Sequence, residues 1–338
     1  MSLREAFLQD ILGNPDDIAP RLVYADWLDE HGDDPDRDRA EFIRAQCELE
    51  RIGQEDARRP ALDRRARQLL SKHRKLWNEP LRKGRLGSRW VYRRGFVEEL
   101  TLPAERFVEV ADRLFAVAPV RLIHFPYAVR ETSALAASPH LARLSGADLE
   151  WMCTCGTCPI HDELHELYES PHARNLTTLS LARDRMDAAE VAIFSRSPHF
   201  PRLESLNLSQ NRIGGRGIRH LAEAPHLTRL THLDLSSNDL TIEDVRLLAE
   251  LRRFRGLSSL ALRDNGLGVT AVRVLAGSAN LSGLKVLDLK GNLLPDSGAK
   301  ALANSKHLGE LTRLDVSGCV SKEGRRALKE RFGDRVKT

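Results

Sequence analysis

Five side chains that bind metals or carry redox chemistry crowd the segment MCTCGTCPIHDELH, residues 152–165: Cys153, Cys155, Cys158, His161 and His165. Three thiolates and an imidazole are the donor set of tetrahedral zinc. Gly156 and Pro159 permit the tight reversal that such close ligands need. His161 and His165 are four apart and share one face if DELHELY is helical. The expectation is a structural zinc held by Cys153, Cys155, Cys158 and His161, with His165 in reserve. A closed set of this kind has no open coordination position, so it would staple an insertion rather than catalyse. The spacing C-x-C-x-x-C differs from a pair of C-x-x-C knuckles, and reduced thiols or one oxidised pair are the alternative states.

Other reactive side chains point away from catalysis. Asp34-x-Asp36-x-Asp38 matches the opening of a calcium loop, but Arg39 stands where glycine is needed and Ala45 where the bidentate glutamate belongs. These carboxylates read as a solvated turn feeding a helix N-terminus. No phosphate loop, nucleophile elbow or HExxH occurs, so no enzyme is expected. Gly214-Gly215-Arg216-Gly217 reads as a turn of the repeat described next. His140, His172, His199, His226 and His307 each stand four residues before a repeat, so repetition explains them better than chemistry.

The elements that would position these residues announce themselves by period. L-x-x-L-x-L starts at Leu176, Leu203, Leu230, Leu257, Leu284 and Leu311, each 27 residues after the last, with Val316 in place of the third leucine in the final unit. Asn211, Asn238, Asn265 and Asn292 follow in register, and so do Leu221, Leu248, Leu275 and Leu302, each ahead of an alanine. Alternating leucines predict a short strand buried on one face. The asparagine marks the turn out of it, and the later Leu-Ala lies on a helix facing back onto the strands. One such unit cannot bury both faces alone, whereas stacked units share a core. Degenerate units stand at Val97-Leu100-Leu102, Val120-Ile123-Phe125 and Leu144-Leu149, and a helix from Gly324 to Phe332 with Leu328 inward reads as a cap.

LTHLDLSSNDL (230–240) and LKVLDLKGNLL (284–294) resemble the ribonuclease-inhibitor-like class of leucine-rich repeats. The resemblance implies an α/β solenoid shaped as a horseshoe, with a parallel sheet inside and helices outside. Ahead of it a small all-α domain is expected. There, PRLVYADWLDEHGD (20–33) and RAEFIRAQCEL (39–49) resemble the bacterial repeat-companion domain, which implies a constant head before a variable recognition array but no activity. The expected division is 1–88 for the helical domain with its basic segment and 89–338 for the repeats, with the Cys/His insertion at 150–170.

Charge divides the N-terminal third. Residues 1–50 hold fourteen acids against five arginines, and residues 51–94 hold fifteen Lys or Arg against four acids. The two halves are expected to attract each other. A polyanion is the alternative partner, although the basic stretch lacks a series of interleaved aromatics. No apolar run approaches the length of a membrane span, and the N-terminus reads as an amphipathic helix rather than a signal peptide, so the cytoplasm is the expected compartment.

The strand positions between the leucines would be displayed on the concave face. Ser180, Asn207, His232, Asp234, Asp288, Arg313 and Asp315 form that expected face, and Arg183, Gln210, Arg263, Asp264 and Lys290 a strip beyond it. This predicts a scaffold binding a protein or peptide. The alternatives are an enzyme regulator, since some similar repeats act on GTPases, or a nucleic-acid-associated protein using residues 51–94.

Overall fold

The computed structural model describes residues 2–53, 56–126, 132–149 and 160–337, the side chains of 160–163 excepted. It divides into two compact units, Met1–Phe125 and Pro126–Thr338.

In the first unit, helices α1 (Leu3–Gly13), α2 (Ala19–His31), α3 (Asp34–Arg51), α4 (Arg59–Trp77) and α5 (Glu79–Gly84) precede the antiparallel hairpin β1 (Ser88–Arg93) and β2 (Phe96–Thr101). Helix α6 (Ala104–Phe115) and strand β3 (Leu122–His124) follow, β3 lying parallel to β2. Ser2 and Glu5 form a capping box on α1, satisfying amides that the helix itself leaves open. Ile11, Tyr24, Leu28, Ile43, Cys47 and Phe96 close a buried core.

The helix that the carboxylates of Asp34, Asp36 and Asp38 are expected to feed begins among them, at Asp34. The Asp33 carboxylate accepts the Asp36 amide at 3.0 Å, and a proline stands in the first turn. The supposed calcium-loop acids therefore belong to α3. Asp36 pairs with Arg4, Asp38 with Lys72 at 2.6 Å, Glu41 with Arg65 at 2.5 Å, and Glu48 with Arg58 at 3.0 Å. Three of these pairs join the acidic stretch to the basic one, as the charge pattern predicts. Each is solvent-exposed and contributes at most about 1 kcal/mol.

The second unit is an α/β leucine-rich-repeat solenoid. Strands β4 (Gly146–Asp148), β5 (Thr178–Ser180), β6 (Ser205–Asn207), β7 (His232–Asp234), β8 (Ser259–Ala261), β9 (Val286–Asp288) and β10 (Arg313–Asp315) pair in parallel, neighbour to neighbour. Register aligns Leu179, Leu206, Leu233, Leu260, Leu287 and Leu314 in one column. All six are buried, as the period requires. Helices α7 (Thr132–Ala137), α8 (Ile160–Tyr168), α9 (Ala188–Arg196), α10 (Gly214–Glu223), α11 (Ile242–Glu250), α12 (Val269–Gly277), α13 (Asp296–Ala303) and α14 (Lys322–Phe332) alternate with the strands. Leu221, Leu248, Leu275 and Leu302 are their buried contacts, and Leu328 anchors α14.

Two expectations change. The glycine run at 214–217 is the first turn of α10 rather than a turn ahead of it. A Cβ at Gly215 would sit 2.0 Å from an Asp244 carboxylate oxygen on α11, and one at Gly217 2.2 Å from Ile213, so these glycines permit close packing. The sheet also continues past the cap, because β11 (Val336–Lys337) returns to pair with β10.

The asparagine ladder is held by hydrogen bonds from coil to coil. Asn265 is buried. Its Oδ1 accepts the amides of Asn238 at 2.8 Å and Leu240 at 3.2 Å, and its Nδ2 donates to the carbonyls of Leu235 at 3.0 Å and Arg263 at 3.1 Å. The Asn265 amide in turn donates to Asn292 Oδ1 at 3.1 Å. Two rungs escaped the sequence pattern, Asp184 and Cys319, one period outside Asn211 and Asn292. Asp184 gives its amide to Asn211 Oδ1 at 3.0 Å, and Cys319 Sγ accepts the Asn292 amide at 3.1 Å. Asn265→Ala strands up to four buried backbone groups, and each orphan costs about 1–3 kcal/mol before relaxation. Urea unfolding should show a loss of at least about 1 kcal/mol. An unchanged midpoint would refute the structural role.

Candidate functional site

Because strand side chains alternate, residues between the buried leucines rise from the other face of the sheet. Thr178, Ser205, His232, Ser259, Val286 and Arg313 form one row, and Ser180, Asn207, Asp234, Ala261, Asp288 and Asp315 the next. The sequence-predicted face residues are thus brought together, but unequally presented. His232 and Arg313 are exposed, while Asn207 and Asp234 are partly covered. Ser180, Asp288 and Asp315 are buried, Asp315 at 1% exposure.

The second row turns back on its own chain. Asn207 Oδ1 accepts the Ser209 amide at 3.0 Å, Asp234 Oδ1 that of Ser236 at 2.9 Å, Asp288 Oδ1 that of Lys290 at 3.1 Å, and Asp315 Oδ1 that of Ser317 at 3.0 Å. An acceptor two residues before an amide closes the strand end, which is why Asp and Asn recur there. The remaining oxygens meet cations. Arg263 Nε lies 2.6 Å from Asp288 Oδ2, and Lys337 Nζ 3.4 Å from Asp315 Oδ2. Burial opposes the Asp315 charge, but the Ser317 hydrogen bonds and the Lys337 ammonium outweigh it and hold the carboxyl below its ordinary range. The hydrogen bond that Arg263 donates to Asp288 raises its guanidinium further still.

The strip beyond the strands has a backbone cause. Arg183, Gln210, Ser237, Asp264, Gly291 and Gly318 stand one before each ladder position, and all six have positive φ, from 50° to 75°. Only the two glycines adopt this without strain. Arg183 Nε donates to Gln210 Oε1 at 2.5 Å, bridging adjacent coils. Asp264 and Lys290 are exposed. The exposed members therefore form a mixed-charge surface on a rigid lattice, and the buried Asp and Ser side chains brace it from below.

The recurring histidines have an architectural setting. The amides of His172, His199 and His307 donate to Ser170, Ser197 and Ser305 Oγ at 3.3, 3.1 and 3.2 Å. Those hydroxyls reach back one coil, Ser170 to the Ala136 carbonyl at 2.5 Å and Ser305 to that of Ala276 at 2.5 Å. His226 packs beside Phe194 and Phe200 with ring centroids 5.8 and 6.3 Å away. Burial, helped by the Arg253 cation, pushes its imidazole down to about 4 from the ordinary 6.5. A depressed histidine means that the unfolded chain protonates first. The stability it contributes is complete above 6.5 and is lost as pH falls towards about 4. Thermal melts should decline more steeply across that window for the wild-type chain than for His226→Leu, and parallel declines would refute the assignment.

Cys153, Cys155 and Cys158 lie outside the described residues, and His161 falls in α8 among the side chains left out. His165 is placed, with Nε2 3.4 Å from Glu190 Oε2 on α9. Among the described residues no group of three His, Cys, Asp or Glu side chains is poised to hold a metal. Cys47 and Cys319 are free thiols. No helix among the described residues is long and apolar enough to cross a membrane.

A Leucine Rich repeat family profile matches residues 201–222, 226–249 and 283–303. No curated protein sequence matches the chain. Among solved structures, an internalin (inlF) from Listeria monocytogenes is similar at 17% identity and TM-score 0.36, over 64% of this chain and 53% of the internalin. TLR13 in its complex with ssRNA13 is similar at 17% identity and TM-score 0.40, over 66% of this chain and 32% of that one. The structure of the Rad7 and Elc1 complex from yeast is similar at 15% identity and TM-score 0.43, with 96% of each chain covered. The chain thus spans about half of the internalin and a third of TLR13.

Proposed function

We propose that the repeats, read as the ribonuclease-inhibitor-like subtype, form a binding scaffold that grips a protein or peptide on the strand face. The observation that carries this reading is the lattice itself. His232, Arg313, Gln210, Asp264 and Lys290 stand exposed at fixed intervals, over strands and turns held by buried ladders. Such a surface loses little conformational freedom when it binds, and its mixed charge suits a polar polypeptide rather than an enclosed small ligand. The N-terminal 88 residues are read as a repeat-companion domain of a bacterial protein, the resemblance covering about the first 50, followed by a basic helical segment, and the free Cys47 and Cys319 suit a reducing cytoplasm. The test is affinity capture from native extract on immobilised full-length chain, with the wild type beside a His232→Glu/Arg313→Glu variant. Partners held by the wild type should be lost by the variant at unchanged melting temperature. Equal capture by both would overturn the strand face as the site.

The insertion is proposed to carry structural zinc on Cys153, Cys155, Cys158 and His161. The donor chemistry supports this, and His165, with Nε2 3.4 Å from Glu190 Oε2, is the reserve ligand. Elemental analysis of protein purified without a histidine tag should find about one zinc per chain. Chelation should leave the 27-residue coils folded, since they stack on one another independently of the insertion. Absence of metal together with free reaction of all three thiols would rule the site out.

A further inference from the structure

The internal pairing of the acidic and basic stretches is not uniform along the chain. Arg58, Arg65 and Lys72 are engaged by acids of α3, whereas Arg82 and Arg85 have no ion-pair partner among the described residues. Both line a cleft of about 450 Å³ within the first unit, together with Trp90, Thr101, Pro103 and Arg106. No carboxylate lines it. Arg106 also pairs with Glu109, one turn along α6.

Local structure aims these groups. Helix α5 stops as Arg85 enters the left-handed region at φ 52°, and Gly87 follows at φ 83°. A Cβ on Gly87 would lie 2.9 Å from the Thr101 carbonyl oxygen, so the chain passes close against the end of β2. The Trp90 indole donates to the Leu86 carbonyl at 3.2 Å, which fixes a half-buried aromatic plane in the wall. Helix α6 opens at Pro103 with no side-chain cap, so the positive end of a twelve-residue dipole lies at the same wall.

We infer that this cleft binds a nucleotide unit, its phosphate against Arg82, Arg85 and Arg106 and its base stacked on Trp90. Arg82 and Arg85, which have no ion pair among the described residues, stand beside Arg106, which is shared with Glu109; three guanidiniums on a wall that no carboxylate lines favour an anion, and the planar fork of arginine suits phosphate. A cleft of about 450 Å³ exceeds bare phosphate, and an indole in its wall accounts for the remaining volume with an aromatic ring. Arg74, Lys75 and Arg89 are further cations of this segment without an ion pair among the described residues, which favours the repeated charge of a single strand over a lone phosphorylated side chain.

The same unit occurs in a free mononucleotide and in single-stranded RNA or DNA, so the test has separate arms. Fluorescence anisotropy or calorimetry on the full chain at low salt would compare 5′-AMP, a short oligouridylate, the matching oligodeoxynucleotide, inorganic phosphate and a phosphotyrosine peptide. At least one nucleotide ligand should saturate and bind more tightly than phosphate or the phosphopeptide. Its affinity should fall as salt rises. Arg82→Glu/Arg85→Glu should weaken it by about tenfold or more, and Trp90→Leu by about five- to a hundredfold, at unchanged circular dichroism. Trp90→Phe keeps an aromatic face and should retain most of the affinity. No saturable nucleotide binding, indifference to either substitution, or a preference for the phosphopeptide would overturn the inference.

Discussion

Leu260→Ala should cost the repeat unit about 2–5 kcal/mol, the range for truncating a fully buried leucine. The residue has no exposed surface and stands mid-column, in register with Leu233 on β7 and Leu287 on β9. Removing its branched end loses apolar burial and leaves a cavity. Both flanking coils lean on the missing volume, and their short strands cannot shift without breaking the ladder at Asn238 and Asn265. In a stacked array the cost includes the interfaces on either side. The control is Leu293, which is 69% exposed although it lies within the same kind of motif. Leu293→Ala should change stability by no more than about 0.5 kcal/mol. Urea unfolding followed by far-ultraviolet circular dichroism checks both. Equal midpoints for the two variants would mean that the leucine column does not carry the fold.

What separates Leu260 from Leu293 was legible in the sequence, because every coil must solve the same packing problem with the same residue at the same interval. The asparagine ladder was legible for the same reason. Its ends were not, because a carboxylate at Asp184 and a thiol at Cys319 perform there what an amide performs elsewhere. Counting 27 residues onward from Asn292 would have found Cys319. The left-handed row was hidden more thoroughly. Gly291 and Gly318 advertise it, but Arg183, Gln210, Ser237 and Asp264 adopt the same φ with side chains that give no warning.

The candidate face was legible as a set of positions and not as a set of accessible groups. Alternation says which side chains leave the core. It does not say that Asp288 and Asp315 will fold back onto the amides two residues on, and so become supports for the surface. That depends on how each strand ends, and strand ends follow from the turn and the neighbouring coil. In the first unit, charge composition foretold that the acidic and basic stretches would meet. It could not foretell which cations would be left over: Arg65 and Lys72 meet acids of α3, whereas Arg82 and Arg85 have no ion pair among the described residues.

Glu98→Ala should destabilise the first unit by about 3–5 kcal/mol, the usual cost of leaving a buried charge without its partner. Glu98 is 3% exposed and accepts from two guanidiniums, Arg21 Nη2 at 2.8 Å on Oε1 and Arg94 Nη2 at 2.5 Å on Oε2. Arg21 has no exposed surface, and its one other side-chain bond runs from Nη1 to the Asp17 carbonyl at 2.8 Å. Burial lowers the proton affinity of Arg21, Glu98 raises it, and Arg94 lowers it again. Without the carboxylate, the burial cost and the repulsion between the two cations both stand uncompensated. Arg94 is partly exposed and can turn to water, whereas Arg21 cannot move without opening α2 from the core. The double variant Arg21→Met/Glu98→Leu removes the charge along with its partner and should recover most of the loss. Tryptophan fluorescence gives the readout, since Trp27, Trp77 and Trp90 belong to this unit and only Trp151 lies elsewhere. A shift below about 1 kcal/mol for Glu98→Ala would place the pair among exposed salt bridges, against its burial. A double variant as unstable as the single one would show that packing around Arg21, rather than its charge, is what Glu98 protects.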